Sequence, residues 1–205
     1  MLDRVELQKV GLKYGKDPVI KSVSTVLELN TLTGIAGPNG SGKSTLMQII
    51  SGNLSPSRGT VKFLNSGTPL PDEDIYKHMS YAAPYVDIPG ELKLLELLQF
   101  TGRLKPWRNQ YTAEEILLLS GLEQAAEKKL KDFSSGMKQR AKLTLALLQH
   151  TSLVLLDEPT SNLDDTAKKW FIELLDKHRA QRIVLIASNE REDLALCDRT
   201  LQLPS

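Results

Sequence analysis

Hydrophobic and polar positions divide the chain into three kinds of segment. Apolar runs stand at LTGIAG (32–37), LVLL (153–156) and RIVLIAS (182–188), and each is followed by a polar break and a helical pattern. Runs of this length, bounded by polar breaks, predict strands buried on both faces, and strands alternating with helices predict a parallel α/β sheet. In the N-terminal third, RVELQKV (4–10), VSTVLEL (23–29) and GTVKFLN (59–65) instead alternate and turn at Gly and Asn, which predicts an antiparallel β layer with one buried face. From residue 84 to residue 132 the period becomes helical. ELKLLELLQF (91–100) repeats leucine at helical spacing, and in YTAEEILLLSGL (111–122) Thr112 and Glu115 hold the register of a capping box. The expected architecture is a single α/β domain over residues 1–205, with residues 84–132 as a helical lobe inserted in its core. NLSPSRG (53–59) and NSGTPLPDED (65–74) read as turns, and no internal repeat or low-complexity segment interrupts the pattern.

Composition changes this picture little. At 205 residues, with 40% hydrophobic and 25% charged residues, the chain has ordinary globular composition. Its 26 basic and 25 acidic residues leave a formal charge of +1, so bulk charge gives no strong nucleic-acid signal. Cys197 stands alone and forms no internal disulfide, and Asp3, Arg4 and Glu6 occupy the place of an apolar signal core, which favours the cytoplasm. Runs such as ILLL and IVLIA fall far short of the ~18 residues of a membrane span, so a role at a membrane requires a separate membrane partner.

Two stretches carry chemistry. GPNGSGKST (37–45) fits G-x-x-x-x-G-K-[ST] between an expected strand and the helix STLMQIISG. Gly37, Pro38, Asn39, Gly40, Ser41, Gly42, Lys43, Ser44 and Thr45 form a loop whose backbone N–H groups from Asn39 to Thr45 can wrap phosphate oxygens, helped by the helix dipole. Lys43 reaches the β- and γ-phosphates and Ser44 ligates Mg²⁺, so a nucleoside triphosphate is the expected ligand. LVLLDEPTSNLD (153–164) ends a strand in two adjacent carboxylates that strand alternation points to different faces. Asp157 is expected to hold Mg²⁺ through water, and Glu158 to polarise the attacking water.

With FSSGMKQR (133–140) upstream of that strand, almost the whole chain resembles the ATP-binding subunit of an ABC transporter. The resemblance places Phe133–Met137 in the family's signature motif, which faces the ATP of a second protomer. Ser134, Ser135 and Gly136 then belong to the nucleotide site, with Ser134 and Gly136 at the γ-phosphate across the dimer; SSG also reads as an N-cap. Tyr14, 23 residues before Gly37, stands where the family stacks an aromatic on adenine, and it also reads as a plain sheet tyrosine. Asp164 ends SNLD, the family's D-loop. The resemblance implies ATP and Mg²⁺ as cofactors, and a second ABC subunit, in a homo- or heterodimer, closing around ATP. It further implies an integral-membrane permease partner and a peripheral position at the inner face of the cell membrane, with the permease touching the segment PYVDIPGELKLLELL (84–98). The alternatives are a soluble non-transport ABC ATPase, or an ATP-gated binding module acting on a protein or nucleic acid. A small-molecule kinase would share the phosphate loop but would leave FSSGM and SNLD unexplained.

Four positions depart from the family pattern. Pro84 replaces a glutamine that contacts Mg²⁺ and senses the membrane subunit. Asn189 replaces the histidine that holds the γ-phosphate and the catalytic glutamate, so with Glu158 it is assigned to catalysis. Ser135 and Met137 replace glycine and glutamine in the signature. These changes imply weak turnover, which Asn189→His would speed unless Ser188 or a water already restores the bridge. His78, His150 and His178 lie outside these loops and read as structural or surface residues.

Overall fold

A computed structural model describes residues 1–15 and 17–203. They fall into two compact units, residues 1–81, 151–158 and 181–205 in the first and residues 82–150 and 159–180 in the second.

The first unit contains both sheets. Strands β1 (Arg4–Tyr14), β2 (Asp17–Glu28), β4 (Arg58–Asn65) and β5 (Thr68–Pro69) form an antiparallel sheet in the order β2-β1-β4-β5. Its alternation sets the register: Val5 pairs with Leu27 and Phe63, and Leu7 with Val61, which places Val5, Leu7, Val10, Leu12, Val23 and Leu27 in the core. The second sheet orders β3 (Thr31–Ala36), β6 (Met79–Ala82), β7 (Leu153–Asp157), β8 (Ile183–Ala187) and β9 (Arg199–Gln202) as β6-β7-β8-β3-β9. Here β7 runs parallel to β8, and β3 parallel to both β8 and β9. Every residue of β7 and β8 is buried, which is why these segments read as unbroken apolar runs. Helix α1 (Lys43–Ile50) follows β3 and buries Leu46, Met47, Ile49 and Ile50, each worth about 1.5–3 kcal/mol by transfer from water. The two short helices of this unit are α2 (Ile75–His78) and α7 (Arg191–Ala195).

The second unit is helical and contains the 84–132 segment together with two later helices. Its main helices are α3 (Leu94–Leu104), α4 (Ala113–Ser120), α5 (Ser135–Leu148) and α6 (Asp165–His178). Helix α3 starts at Leu94 rather than at Glu91, because the Glu96 carboxylate accepts from the Lys93 amide at 2.8 Å and fixes the first turn there. The capping box at α4 forms as the sequence predicts: Thr112 Oγ1 accepts from the Glu115 amide (3.2 Å) and the Glu115 carboxylate from the Thr112 amide (2.7 Å). Residues Ala167, Phe171, Leu174, Leu175 and His178 line the buried stripe of α6 at helical spacing. The indole of Trp170 on this helix donates to the Leu119 carbonyl (2.8 Å), and the Arg140 guanidinium lies 4.5 Å from its ring centroid. Among the described residues no helix is long and apolar enough to cross a membrane.

Candidate functional site

Glycine conformation builds the loop between β3 and α1. Gly40 and Gly42 have φ of 82° and 92°, a left-handed backbone that costs other residues free energy. Gly42 is the N-cap of α1 and offers no side-chain cap, so the N–H groups of the first turn point out of the helix end with the positive end of its dipole. A Cβ on Gly37 would lie 2.4 Å from Ser41 Oγ, so the loop closes on itself there. Ser41 Oγ is itself buried with no hydrogen-bond partner among the described residues. Lys43 is only 6% exposed; its ammonium donates to the carbonyls of Gly37 (2.9 Å) and Pro38 (3.4 Å) and lies 3.8 Å from Glu158 Oε1. A buried cation beside open amides and glycine-lined space fits an anion of phosphate type.

The acidic side of the site comes from the end of β7. Asp157 is the last strand residue and is 1% exposed. Glu158 follows in a left-handed conformation, φ 47°, while its amide still donates to Ala187 O at 2.8 Å. Strand alternation therefore stops at Asp157, and a turn of the backbone sets the direction of Glu158. A non-glycine residue in this region stores strain of about 1–3 kcal/mol, a feature that concentrates at functional positions. Burial pushes the Glu158 carboxyl above the usual carboxylate range, against the opposing pull of the Lys43 ammonium and the Ser188 hydroxyl; Asp157 and Asp193 add to the rise.

The loop after β8 completes this face. Ser188 Oγ lies 3.2 Å from Glu158 Oε2 and 2.7 Å from Asp193 Oδ2, and accepts from the Glu190 amide at 3.0 Å. Asn189 is exposed, and its Nδ2 donates to Asn39 Oδ1 of the phosphate loop at 3.4 Å. Sequence reading does not single out Asp193. Its one signal is a five-residue spacing from Ser188 across a loop and a helix start, too common a pattern to stand out. Tyr14 is at the end of β1 with 59% of its surface exposed, leaving its ring open to a stacking partner.

Ser134, Ser135 and Gly136 belong to the second unit. Ser134 is the N-cap of α5, its Oγ accepting from the Met137 amide (3.2 Å), and Ser135 begins the helix. A Cβ on Gly136 would come within 2.9 Å of the Asn162 carbonyl oxygen, so glycine is required within the chain itself. Asp164 caps α6 by accepting from the Ala167 amide at 2.8 Å. The carbonyls of Ala83 and Pro84 both accept from the Lys142 ammonium (3.1 and 3.0 Å).

A donor set of one hydroxyl and one carboxylate, Ser44 and Asp157, suits Mg²⁺, which keeps most of its waters and shares its remaining positions with substrate phosphates. Among the described residues no group of three or more His, Cys, Asp or Glu is placed to hold a metal by itself.

Residues 20–161 match the family model described as ABC transporter. The "Uncharacterized ABC transporter ATP-binding protein YxlF" of Bacillus subtilis is 31% identical over 96% of this chain and 66% of its own length. The chain spans 66%, 38% and 60% of the first curated relatives it matches. Among solved structures, an ATP-binding subunit of an ABC transporter superposes with a TM-score of 0.84 at 25% identity, over 99% of this chain and 86% of that one. A second, titled "Dimeric Structure of MJ0796, a Bacterial ABC Transporter Cassette", gives 0.81 at 23%, over 97% and 94%. This family binds ATP. The chain belongs to the ABC transporter family, as one of its ATP-binding cassettes.

Proposed function

We propose that this chain binds Mg²⁺–ATP, hydrolyses it as part of a dimer, and so drives an integral-membrane permease. The observation that carries this reading is the meeting of a buried phosphate-loop lysine, Lys43, with the carboxylate of Glu158 across the mouth of α1. The amides of the loop and of the first turn of α1 bind the phosphates, and Lys43 turns from the loop carbonyls toward the β- and γ-oxygens. Ser44 and, through water, Asp157 would hold Mg²⁺, which supplies positive charge to the phosphate oxygens. Glu158 orients a water in line with the γ-phosphorus and accepts its proton, a role favoured by a carboxyl whose burial makes it a better base than an exposed one. Asn189 donates toward the γ-phosphate from the opposite side of the loop, and Tyr14 stacks on the base.

Ser134, Ser135 and Gly136 serve the nucleotide of a second cassette, and Asp164 lies in the loop that links the two sites. A solved cassette of the same fold is described as dimeric, which supports this arrangement. The chain then lies at the inner face of the membrane through its permease, docked near residues 84–98. Transport is favoured over the soluble alternatives because one curated relative is named an ABC transporter ATP-binding protein and others are named export or import ATP-binding proteins.

The test is phosphate release by the purified chain with Mg²⁺ or with chelator, beside Glu158→Gln, followed by copurification from membranes. Mg²⁺-dependent release that Glu158→Gln abolishes, together with a copurifying permease, is expected. Release indifferent to Glu158 would overturn the catalytic reading, and a soluble partner in place of a permease would overturn transport.

A further inference from the structure

Three oxygen atoms form a continuous line behind the catalytic carboxylate. Glu158 Oε2 lies 3.2 Å from Ser188 Oγ, and Ser188 Oγ lies 2.7 Å from Asp193 Oδ2. Ser188 has no exposed surface and Asp193 has 1%. Burying a carboxylate is costly unless it is hydrogen-bonded, so an acid at this position in the short helix α7 calls for a reason beyond packing.

A serine hydroxyl carries one proton and can serve only one of two carboxylates at a time. Its oxygen, however, stays in the same place whichever acid it serves, because the Glu190 amide donates to it at 3.0 Å from a third direction. Asp193 and the Glu190 amide thus fix Ser188 Oγ. When its proton turns to Glu158, Ser188 Oγ donates to Oε2, while Lys43 attracts Oε1. Both oxygens of the carboxylate then have a partner, although its backbone stands in a strained left-handed conformation.

We propose that Asp193 is a positioning residue for Glu158, acting through Ser188, and that this pair takes over the orienting task at a site where Asn189 stands in place of histidine. The proposal rests on Glu158 being the residue that activates water. Asp193 touches neither nucleotide nor water in this role. It sets the rotamer from which Glu158 works, and misplacing a catalytic group by an ångström costs up to about 10²-fold in rate.

Single-turnover hydrolysis and ATP titration on the full chain test it, using Ser188→Ala, Asp193→Leu, Asp193→Asn, Glu158→Gln and the doubles with Glu158→Gln. Ser188→Ala and Asp193→Leu are expected to slow hydrolysis by about 10- to 100-fold while ATP affinity stays within about twofold, the signature of an interaction that acts in the chemical step. Asp193→Asn, which keeps an acceptor for Ser188, is expected to recover most of the rate. Neither change should slow Glu158→Gln further, because residues that act as one unit are not additive. Ser188→Ala at the wild-type rate would overturn the proposal even where Asp193→Leu fails to fold. Asp193→Asn as slow as Asp193→Leu, or losses that multiply with Glu158→Gln, would assign the effect to packing and equally overturn it. If Glu158→Gln itself hydrolyses at full speed, the catalytic reading of Glu158 falls first. If Glu158→Gln is slow and Ser188→Ala is not, only the positioning role falls.

Discussion

The ammonium of Lys43 stands 3.8 Å from Oε1 of Glu158, tying the first turn of α1 to the residue after β7. The proposed function gives Lys43 two tasks, one toward phosphate and one toward the carboxylate. Lys43→Ala is expected to weaken ATP binding by about 10- to 100-fold, the scale of one charge-assisted hydrogen bond. Titration of labelled ATP with Mg²⁺ measures it. Undiminished affinity would remove Lys43 from the phosphate site.

Glu158→Gln keeps the shape of the side chain and removes the carboxylate proposed to act as base. Turnover is expected to fall by about 10² to 10⁴, the usual contribution of general base catalysis, and an ATP-bound dimer should accumulate because it forms but does not clear. Phosphate release followed by light scattering reads both effects. A monomer that turns over normally would reject the assignment.

Much of this was legible in the sequence because it is local. The phosphate loop is a contiguous stretch whose glycines, lysine and serine each have a stated task, and β7 and β8 read as apolar runs because both faces are covered. Contacts between distant segments left no such trace. The Glu158–Ser188 contact joins residues 30 apart. The left-handed φ of Glu158 follows from how β7 leaves the sheet rather than from its own residue type. Glu91, Leu92 and Lys93 continue a leucine pattern yet stand outside α3, because the cap at Lys93 decides where the helix starts. Ala83 and Pro84 offer nothing distinctive in sequence, and only the fold brings the Lys142 amine to their carbonyls.

Gly136 lies under the Asn162 carbonyl oxygen, 2.9 Å from where a Cβ would stand. Gly136→Ala is expected to destabilise the isolated chain by about 1–3 kcal/mol, as overpacking does, visible as a lower melting temperature without nucleotide. An unchanged melting temperature with lost turnover would instead reserve this space for a partner's nucleotide.

Cys197 offers a pH test within the first unit. Burial, with smaller contributions from Asp193 and Asp198, pushes its thiol up from 9.0 to about 11. The folded chain thus holds its proton more tightly than the unfolded chain, so this contribution to stability is complete below pH 9.0 and is lost as pH rises toward about 11. Alkylation at pH 8 is expected to be slow in the native protein and to become fast in denaturant. Fast native alkylation at pH 8 would place the thiol in a more open setting.

Asn189 decides how complete the site is. Its Nδ2 donates to Asn39 Oδ1 at 3.4 Å, which places a neutral donor beside the phosphate loop where the family pattern has an imidazole. Preorganised donors stabilise the charge that develops on the γ-phosphoryl oxygens, and losing one elsewhere costs about 10² to 10³ in rate. Asparagine still supplies a donor, and Ser188 already reaches Glu158, so the proposed mechanism divides the two halves of the histidine's task between neighbouring residues. Asn189→Ala, which removes the donor, is therefore expected to slow single-turnover hydrolysis by at least about tenfold, whereas Asn189→His should speed it by less than about tenfold. Both are compared with wild type at matched ATP occupancy and without the permease. A gain of a hundredfold or more in Asn189→His would mean that the imidazole is missed and that Asn189 is no substitute for it. No loss in Asn189→Ala would mean that this side chain takes no part, leaving the carboxylate to Ser188 and Lys43 alone.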